Sequence, residues 1–271
     1  MIKLIAIDLD GTLLYKNMTI TLENLEAIKE AQDKGIKVVV ATGRPFLFTR
    51  PYMEILNFDT PYIMYNGGSI IYGDGTVLKE TIMPQSQIMA AVELCEQHNT
   101  SYMLYGNDTV YYKPSKRVEF LKEMSLQMEE HLRAKFELIT DYKTLIQEMD
   151  FGKVLIVEED VEEYPVVYKR MQTLEETNDI LQSSSFYIEI IPKGVSKAKA
   201  LEVVASKYNI KQSEIMAIGD QENDVSMIKY AGIGVAMGNA IDEVKKQADY
   251  VTLTVKENGV AHAIKRFVLE T

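Results

Sequence analysis

Lys3-Leu4-Ile5-Ala6-Ile7-Asp8-Leu9-Asp10-Gly11-Thr12 sets the terms for the rest of the chain. The apolar run Lys3 to Ile7 has the length and composition of a buried strand, and it stops at two carboxylates and a glycine turn. A strand that delivers acidic residues at its carboxyl end places them where open α/β sheets bind ligands. Downstream, Thr21 can cap a helix whose Leu22, Leu25, Ile28 and Ala31 form one apolar stripe, ended by Gly35. Ile36 to Ala41 is nearly continuous and rich in β-branched residues, as in a strand buried on both faces, and it runs into Thr42-Gly43-Arg44-Pro45. After a helix through Met53 to Leu56, a strand from Tyr62 to Tyr65 stops at Asn66-Gly67-Gly68. Strand, polar tip, helix, strand, polar tip is the grammar of a parallel sheet covered by helices.

The last third repeats it. A helix from Lys197 to Tyr208 precedes a strand, Ile215 to Ile218, that ends at Gly219-Asp220-Gln221-Glu222-Asn223-Asp224. Helix Val225 to Tyr230, strand Ile233 to Met237, helix Asp242 to Ala248, strand Tyr250 to Leu253 and a helix after Gly259 follow. The middle, from about Pro84 to Ser185, mixes helices (Gln87 to Gln97, Arg117 to Leu132, Val161 to Leu174) with strands such as Lys153 to Val157 and Phe186 to Ile191. Residues 83 to 188 hold 19 acidic against 10 basic side chains, most of the net charge of −11 carried by the 271 residues. Neither flank has enough strands for a full sheet, so the middle reads as a domain inserted between two halves of another.

The acidity counts against a protein that reads nucleic-acid backbones, whose affinity depends on neutralising phosphates. No stretch approaches 18 apolar residues, which argues against a membrane span, and the apolar N-terminal run is too short for a signal peptide; a cytoplasmic location is expected. Cys95 is alone and lies on a helical apolar stripe, and His98, His131 and His262 have no partners at ligand spacing, so no zinc or thiol chemistry is indicated. Oxygen donors dominate instead. Asp8 and Asp10, together with Asp220 and Asp224, would repel one another by several kcal/mol if left bare, and a hard divalent cation such as Mg2+ answers that cost. Taken alone, Asp8 to Thr12 also suits a turn or helix cap; the second acidic tip after a second apolar strand favours the site. Thr42 and Gly43 stand between strand and helix, where a hydroxyl and backbone N–H groups can hold an anion. Lys197 sits early in its helix, against the dipole preference for cations at C-termini.

With those positions assembled, the sequence resembles the haloacid dehalogenase-like superfamily of phosphohydrolases. Within it, the chain is similar to the Cof-like group, which carries a type IIB cap between the second and third core motifs. Asp8-Leu9-Asp10-Gly11-Thr12-Leu13-Leu14, Ala41-Thr42-Gly43-Arg44, Lys193-Gly194-Val195-Ser196-Lys197 and Gly219-Asp220-Gln221-Glu222-Asn223-Asp224 look like the four motifs in order. The resemblance implies an α/β fold: a Rossmann-like parallel-sheet core from residues 1–83 and 190–271, with an inserted α+β cap at 84–189 that contacts the leaving group. It implies hydrolysis of small phosphorylated metabolites (sugar phosphates, pyridoxal phosphate or FMN) with Asp8 as nucleophile through an aspartyl-phosphate and Asp10 as acid and base. It further implies Mg2+ held by Asp8, the Asp10 carbonyl and Asp220, with Asp224 a ligand or just behind one. Thr42, Gly43, Lys197 and Asn223 would bind the phosphoryl group, supported by Gly11, Thr12, Arg44, Asn66 and Gly67. A sugar phosphomutase of similar fold and a non-catalytic metabolite-binding protein are the alternatives, and both monomer and homodimer are compatible with the sequence.

Overall fold

A computed structural model describes residues 1–15, 19–106 and 108–270. In chain order it opens with β1 (Leu4–Ile7), α1 (Leu22–Asp33), β2 (Lys37–Val40), α2 (Phe46–Leu56), β3 (Tyr62–Met64), β4 (Ser69–Ile71) and β5 (Val77–Glu80). There follow α3 (Gln85–Gln97), β6 (Ser101–Tyr105), β7 (Thr109–Tyr112), α4 (Lys116–Leu126), β8 (Lys135–Leu138), α5 (Tyr142–Glu148), β9 (Val154–Val157), α6 (Tyr164–Met171), β10 (Asn178–Ser184) and β11 (Tyr187–Pro192). The chain ends with α7 (Lys197–Lys207), β12 (Ile215–Gly219), α8 (Val225–Tyr230), β13 (Ile233–Ala236), α9 (Asp242–Gln247), β14 (Tyr250–Val251) and α10 (Gly259–Ile264). It divides into two units: residues 1–43, 52–79 and 196–271 form one, residues 44–51 and 80–195 the other.

The first unit is built on a five-stranded parallel sheet of order β14-β13-β12-β1-β2. The strands are short apolar runs with no exposed residue in β1, β2 or β12, as helices on both faces require. On one face, Leu4, Ala6 and Val39 of the sheet meet Ala200, Leu201 and Val204 of α7 and Met227 of α8. The apolar spacing of three and four along α7 makes that stripe, and Ser196 caps the helix by accepting a hydrogen bond from the Lys199 N–H (3.3 Å). On α1, Thr21 caps by accepting from the Asn24 N–H, as its sequence position predicts, and Asn24 in turn accepts a hydrogen bond from the Ala261 N–H of α10 (2.9 Å). The order matters for function. The connection from β1 leads one way to β2, while β12, β13 and β14 run the other way, so the switch point lies between β1 and β12.

The second unit has a six-stranded mixed sheet of order β10-β11-β9-β6-β7-β8, antiparallel except where β7 meets β8. Alternate residues Tyr102, Leu104, Val154, Ile156, Ile188 and Ile190 face α3, α5 and α6. Cys95 lies in that core, as its stripe predicts. Two helices are shorter than the sequence suggests: α4 stops at Leu126, and α6 starts at Tyr164, with Pro165 in its first turn. The strand expected at Tyr250 to Leu253 pairs only through Val251. At the start of the insertion, the Met83 N–H donates to the Phe151 carbonyl, and at its end β11 pairs through Pro192.

Candidate active site

The switch point delivers the reagents. Ile7 pairs with Ile218 on one side and Val40 on the other, so Asp8 and Ala41 follow their strands at the level of Gly219, the last residue of β12, and the Asp8 N–H donates to the Ile218 carbonyl. Beyond β12 the chain folds into a tight turn. Asp224 makes that turn by accepting, on one carboxylate oxygen, the N–H groups of Asp220 (2.8 Å) and Gln221 (3.0 Å). Its other oxygen accepts from Lys197 Nζ at 2.5 Å, and Lys197 Nζ also donates to Asp8 Oδ1 at 2.7 Å. Lys197, 0% exposed at the start of α7, therefore bridges acids 189 and 27 residues away. Asp220 is held by Thr12 Oγ1, which donates to Oδ1 (2.8 Å), and by Gln221 Nε2, which donates to Oδ2 (3.0 Å).

Asp8, Asp220 and Asp224 are all buried, and each offers a carboxylate oxygen within 4.8 Å of the others. Burial and the charge of Asp224 push the Asp8 carboxyl well above its ordinary range, with Lys197 pulling it back. Asp220 is pushed up to about 6 by burial and by Asp224, against the hydrogen bonds from Thr12 and Gln221. For Lys197 burial acts the other way, but Asp224 and Asp8 outweigh it and hold the ammonium above its usual pKa. Fully ionised, three carboxylates facing one ammonium leave an excess of two negative charges in a buried place. The donor set is all oxygen, and the charge deficit is that of one divalent cation, so the residues present fit a hard divalent metal ion. Asp224 accepts three protein hydrogen bonds on its two oxygens and Asp220 one on each of its two, while Asp8 accepts that of Lys197 on Oδ1.

Asp10 is exposed and is not one of the three carboxylates gathered around Lys197. Gly11 has φ +84 and lies against Asp220, so a Cβ there would overlap the Asp220 carboxylate. Thr42 is buried; its N–H donates to the Ile63 carbonyl (2.8 Å), and its own carbonyl accepts the Asn66 N–H (3.1 Å). Gly43 follows it at the edge of the first unit. Asn223 Nδ2 donates to Asn66 Oδ1 at 2.8 Å. Arg44 falls in the second unit, where Nη1 donates to the Phe48 carbonyl (3.1 Å). Two more residues contribute, one inside the acidic tip and one in the segment 234–240 that the resemblance sets beside the site. Gln221 is an unremarked member of the acidic tip, and Asn239 follows β13, where its Nδ2 donates to the Gly11 carbonyl (2.9 Å) and its Oδ1 accepts the Val255 N–H (2.8 Å). The signal for Asn239 is the one that marks the other tips, a polar residue just past an apolar strand.

Chemically, the cluster holds a buried carboxylate beside a cation-binding charge deficit and an exposed carboxylate two residues on. Comparisons with known proteins find relatives along nearly the whole chain. The family model for haloacid dehalogenase-like hydrolases matches residues 5–264. The 5-amino-6-(5-phospho-D-ribitylamino)uracil phosphatase YcsE of Bacillus subtilis (strain 168) is 38% identical over 268 residues, 99% of this chain and 96% of that protein. The pyridoxal phosphate phosphatase YbhA of Escherichia coli (strain K12) is 29% identical over 92% of each chain. A solved subclass IIB sugar phosphatase superposes with a TM-score of 0.83 at 26% identity, over 98% of each chain. Among the described residues no helix is long and apolar enough to cross a membrane.

Proposed function

This chain belongs to the haloacid dehalogenase-like hydrolases, and from that premise we propose that it is a magnesium-dependent phosphatase of small phosphorylated metabolites working through Asp8. The observation that carries the reading is Lys197 bridging Asp8 and Asp224 in a buried cluster that lacks two positive charges. A carboxylate attacks phosphorus only when ionised, and burial opposes ionisation of Asp8. Lys197 supplies part of the opposing charge. Magnesium, when bound by Asp8, the Asp10 carbonyl and Asp220, supplies the rest and offsets charge between the nucleophile and the phosphoryl oxygens.

In this reading Asp8 forms the bond to phosphorus as the ester oxygen departs, and Asp10 gives that oxygen its proton. Asp10 then takes a proton from the water that hydrolyses the aspartyl-phosphate, and Asp8 is released. The exposure of Asp10 supports its part, since it must meet both leaving group and water. Thr42, Gly43, Lys197 and Asn223 hold the phosphoryl oxygens, and Thr12 and Asp224 fix Asp220 and Lys197. Choice among phosphoesters we assign to the insertion at 84–189, which falls within the unit that has its own sheet and core. The phosphatases similar to this chain act on a phosphoribitylamino-uracil, pyridoxal phosphate and a sugar phosphate, and those three classes are the first to assay.

The test is phosphate release from such a panel with magnesium and with chelator, for the parent and for Asp8→Asn. Magnesium-dependent release by the parent and loss of at least 10²-fold in the variant are expected. Release undiminished by chelator or by Asp8→Asn would refute the reading, and an isomerised sugar phosphate in place of free phosphate would identify a mutase.

A further inference from the structure

The Asn66-Gly67 tip joins three segments that carry the proposed oxygen-binding residues. The Asn66 N–H donates to the Thr42 carbonyl (3.1 Å), and Asn66 Oδ1 accepts from Asn223 Nδ2 (2.8 Å). Asn66 is 2% exposed, with backbone at φ 57, ψ 26, the left-handed region that asparagine tolerates better than most residues. Gly67, at φ +102, lies so close to α7 that a Cβ would overlap the Ser196 carbonyl oxygen, and Ser196 is the cap of the helix that begins with Lys197. One two-residue tip is thus in register with Thr42, Asn223 and Lys197.

We propose that Asn66 is a positioning residue that sets which end of the Asn223 amide faces the phosphoryl group, a role that rests on the phosphatase reading above. A side-chain amide has a donor end and an acceptor end of nearly equal shape, and rotation by half a turn exchanges them. Asn223 Oδ1 is buried with no hydrogen-bond partner among the described residues, so with the Asn66 amide held as it stands, the bond from Nδ2 to Asn66 selects the orientation. The exchanged amide would set Asn223 Oδ1 against Asn66 Oδ1, two acceptors facing each other. With the bond in place, one Nδ2 hydrogen is spent on Asn66, and the second, without a partner among the described residues, can meet an anionic oxygen. Without it, Asn223 would spend part of its time presenting a carbonyl oxygen to a phosphoryl oxygen, which repels.

A double-mutant cycle tests this with Asn66→Gly, Asn223→Ala and the pair. Glycine keeps the left-handed backbone and its N–H bond to Thr42 while removing Oδ1. Asn66→Gly is expected to lower kcat by about 10- to 100-fold, the scale seen when a supporting partner of a site residue is removed, with KM changed much less. The pair should be no slower than Asn223→Ala alone, because the first residue acts through the second. Melting temperature and magnesium half-saturation of Asn66→Gly should match the parent, and its inhibition constant for orthovanadate should rise. Losses that multiply in the pair, a kcat equal to the parent's, or a fall in melting temperature that accounts for the lost turnover would each overturn the proposal. A parent enzyme that releases no phosphate from any ester would instead bring down the reading beneath it.

Discussion

Lys197→Met removes one charge and little volume, and its effect should depend on magnesium. In the folded protein the ammonium lies 2.7 Å from Asp8 and 2.5 Å from Asp224, with side chains 0%, 7% and 0% exposed. At an effective dielectric constant of about 20, a pair about 3 Å apart attracts by roughly 5–6 kcal/mol, but desolvation of the buried charges takes back much of that. Severing a buried pair by removing one partner costs about 3–5 kcal/mol, because the other charge is left uncompensated. Here three acids would face one another with no cation. At about 2–4 °C per kcal/mol for a chain of this order of size, the melting temperature in chelator should fall by roughly 6–20 °C. A divalent ion supplies the missing charge directly. Magnesium at about 100 times its dissociation constant contributes ~2.7 kcal/mol to a protein that binds it only when folded. The variant, with its greater charge deficit, should gain more than the parent, so the difference between them should shrink as magnesium is added. The assay is thermal unfolding by circular dichroism, parent and variant, in chelator and across a magnesium titration. A variant that melts within about 2 °C of the parent in chelator, or a deficit indifferent to magnesium, would show that the three acids do not share Lys197 as their counter-charge.

Thr12→Val deletes the donor to Asp220 Oδ1 at constant shape, and magnesium half-saturation should weaken by about 10–100-fold with the fold intact; unchanged magnesium dependence would separate Thr12 from the site. The Asp220 carboxyl, raised to about 6, should also mark the pH dependence of stability. Between its unfolded pKa near 3.8 and about 6, the folded state holds more of this proton than the unfolded state does, so its contribution to stability falls as pH rises through that window. In chelator, the stability difference between the parent and Asp220→Asn should therefore move against the parent from pH 4 to 6, and magnesium should reverse the trend; a flat difference would refute the assignment. Finally, burial pushes the Cys95 thiol up to about 12, so it should not react with a chromogenic disulfide at pH 8 until denaturant is added, when one equivalent should appear. Rapid labelling of the native protein would contradict its place in the core.

What could be read without coordinates is what short-range pattern encodes. The β-branched run Lys37 to Val40 and the apolar run Leu4 to Ile7 are buried strands because few polar atoms interrupt them, and each ends where a polar tip begins. The spacing of three and four along α7 made its buried face legible, and Thr21 and Ser196 act as the caps their positions suggest. Asp8, Asp220 and Asp224 could be grouped because each follows a strand end, and carboxylates so gathered call for a cation.

The lengths of α4 and α6 were less legible, since their polar composition leaves the ends to tertiary packing. Strand order in the inserted sheet was not legible at all: β9 pairs with both β6 and β11 by contacts that no local preference specifies. The same holds inside the site. From sequence, Lys197 is a cation at an unfavourable helix end and a surface position explains it as well as a site does. Only folding brings it beside Asp8, 189 residues away, and removes the water that would screen the pair. Likewise Gly11 could be read as a turn residue, but that Asp220 lies against its Cα is a fact of the β1–β12 pairing. Sequence by itself determined the kinds of groups at each strand end and therefore the chemistry available. Tertiary structure decided which of them share one desolvated volume, because electrostatic coupling depends on distance and burial, and neither is a property of local sequence.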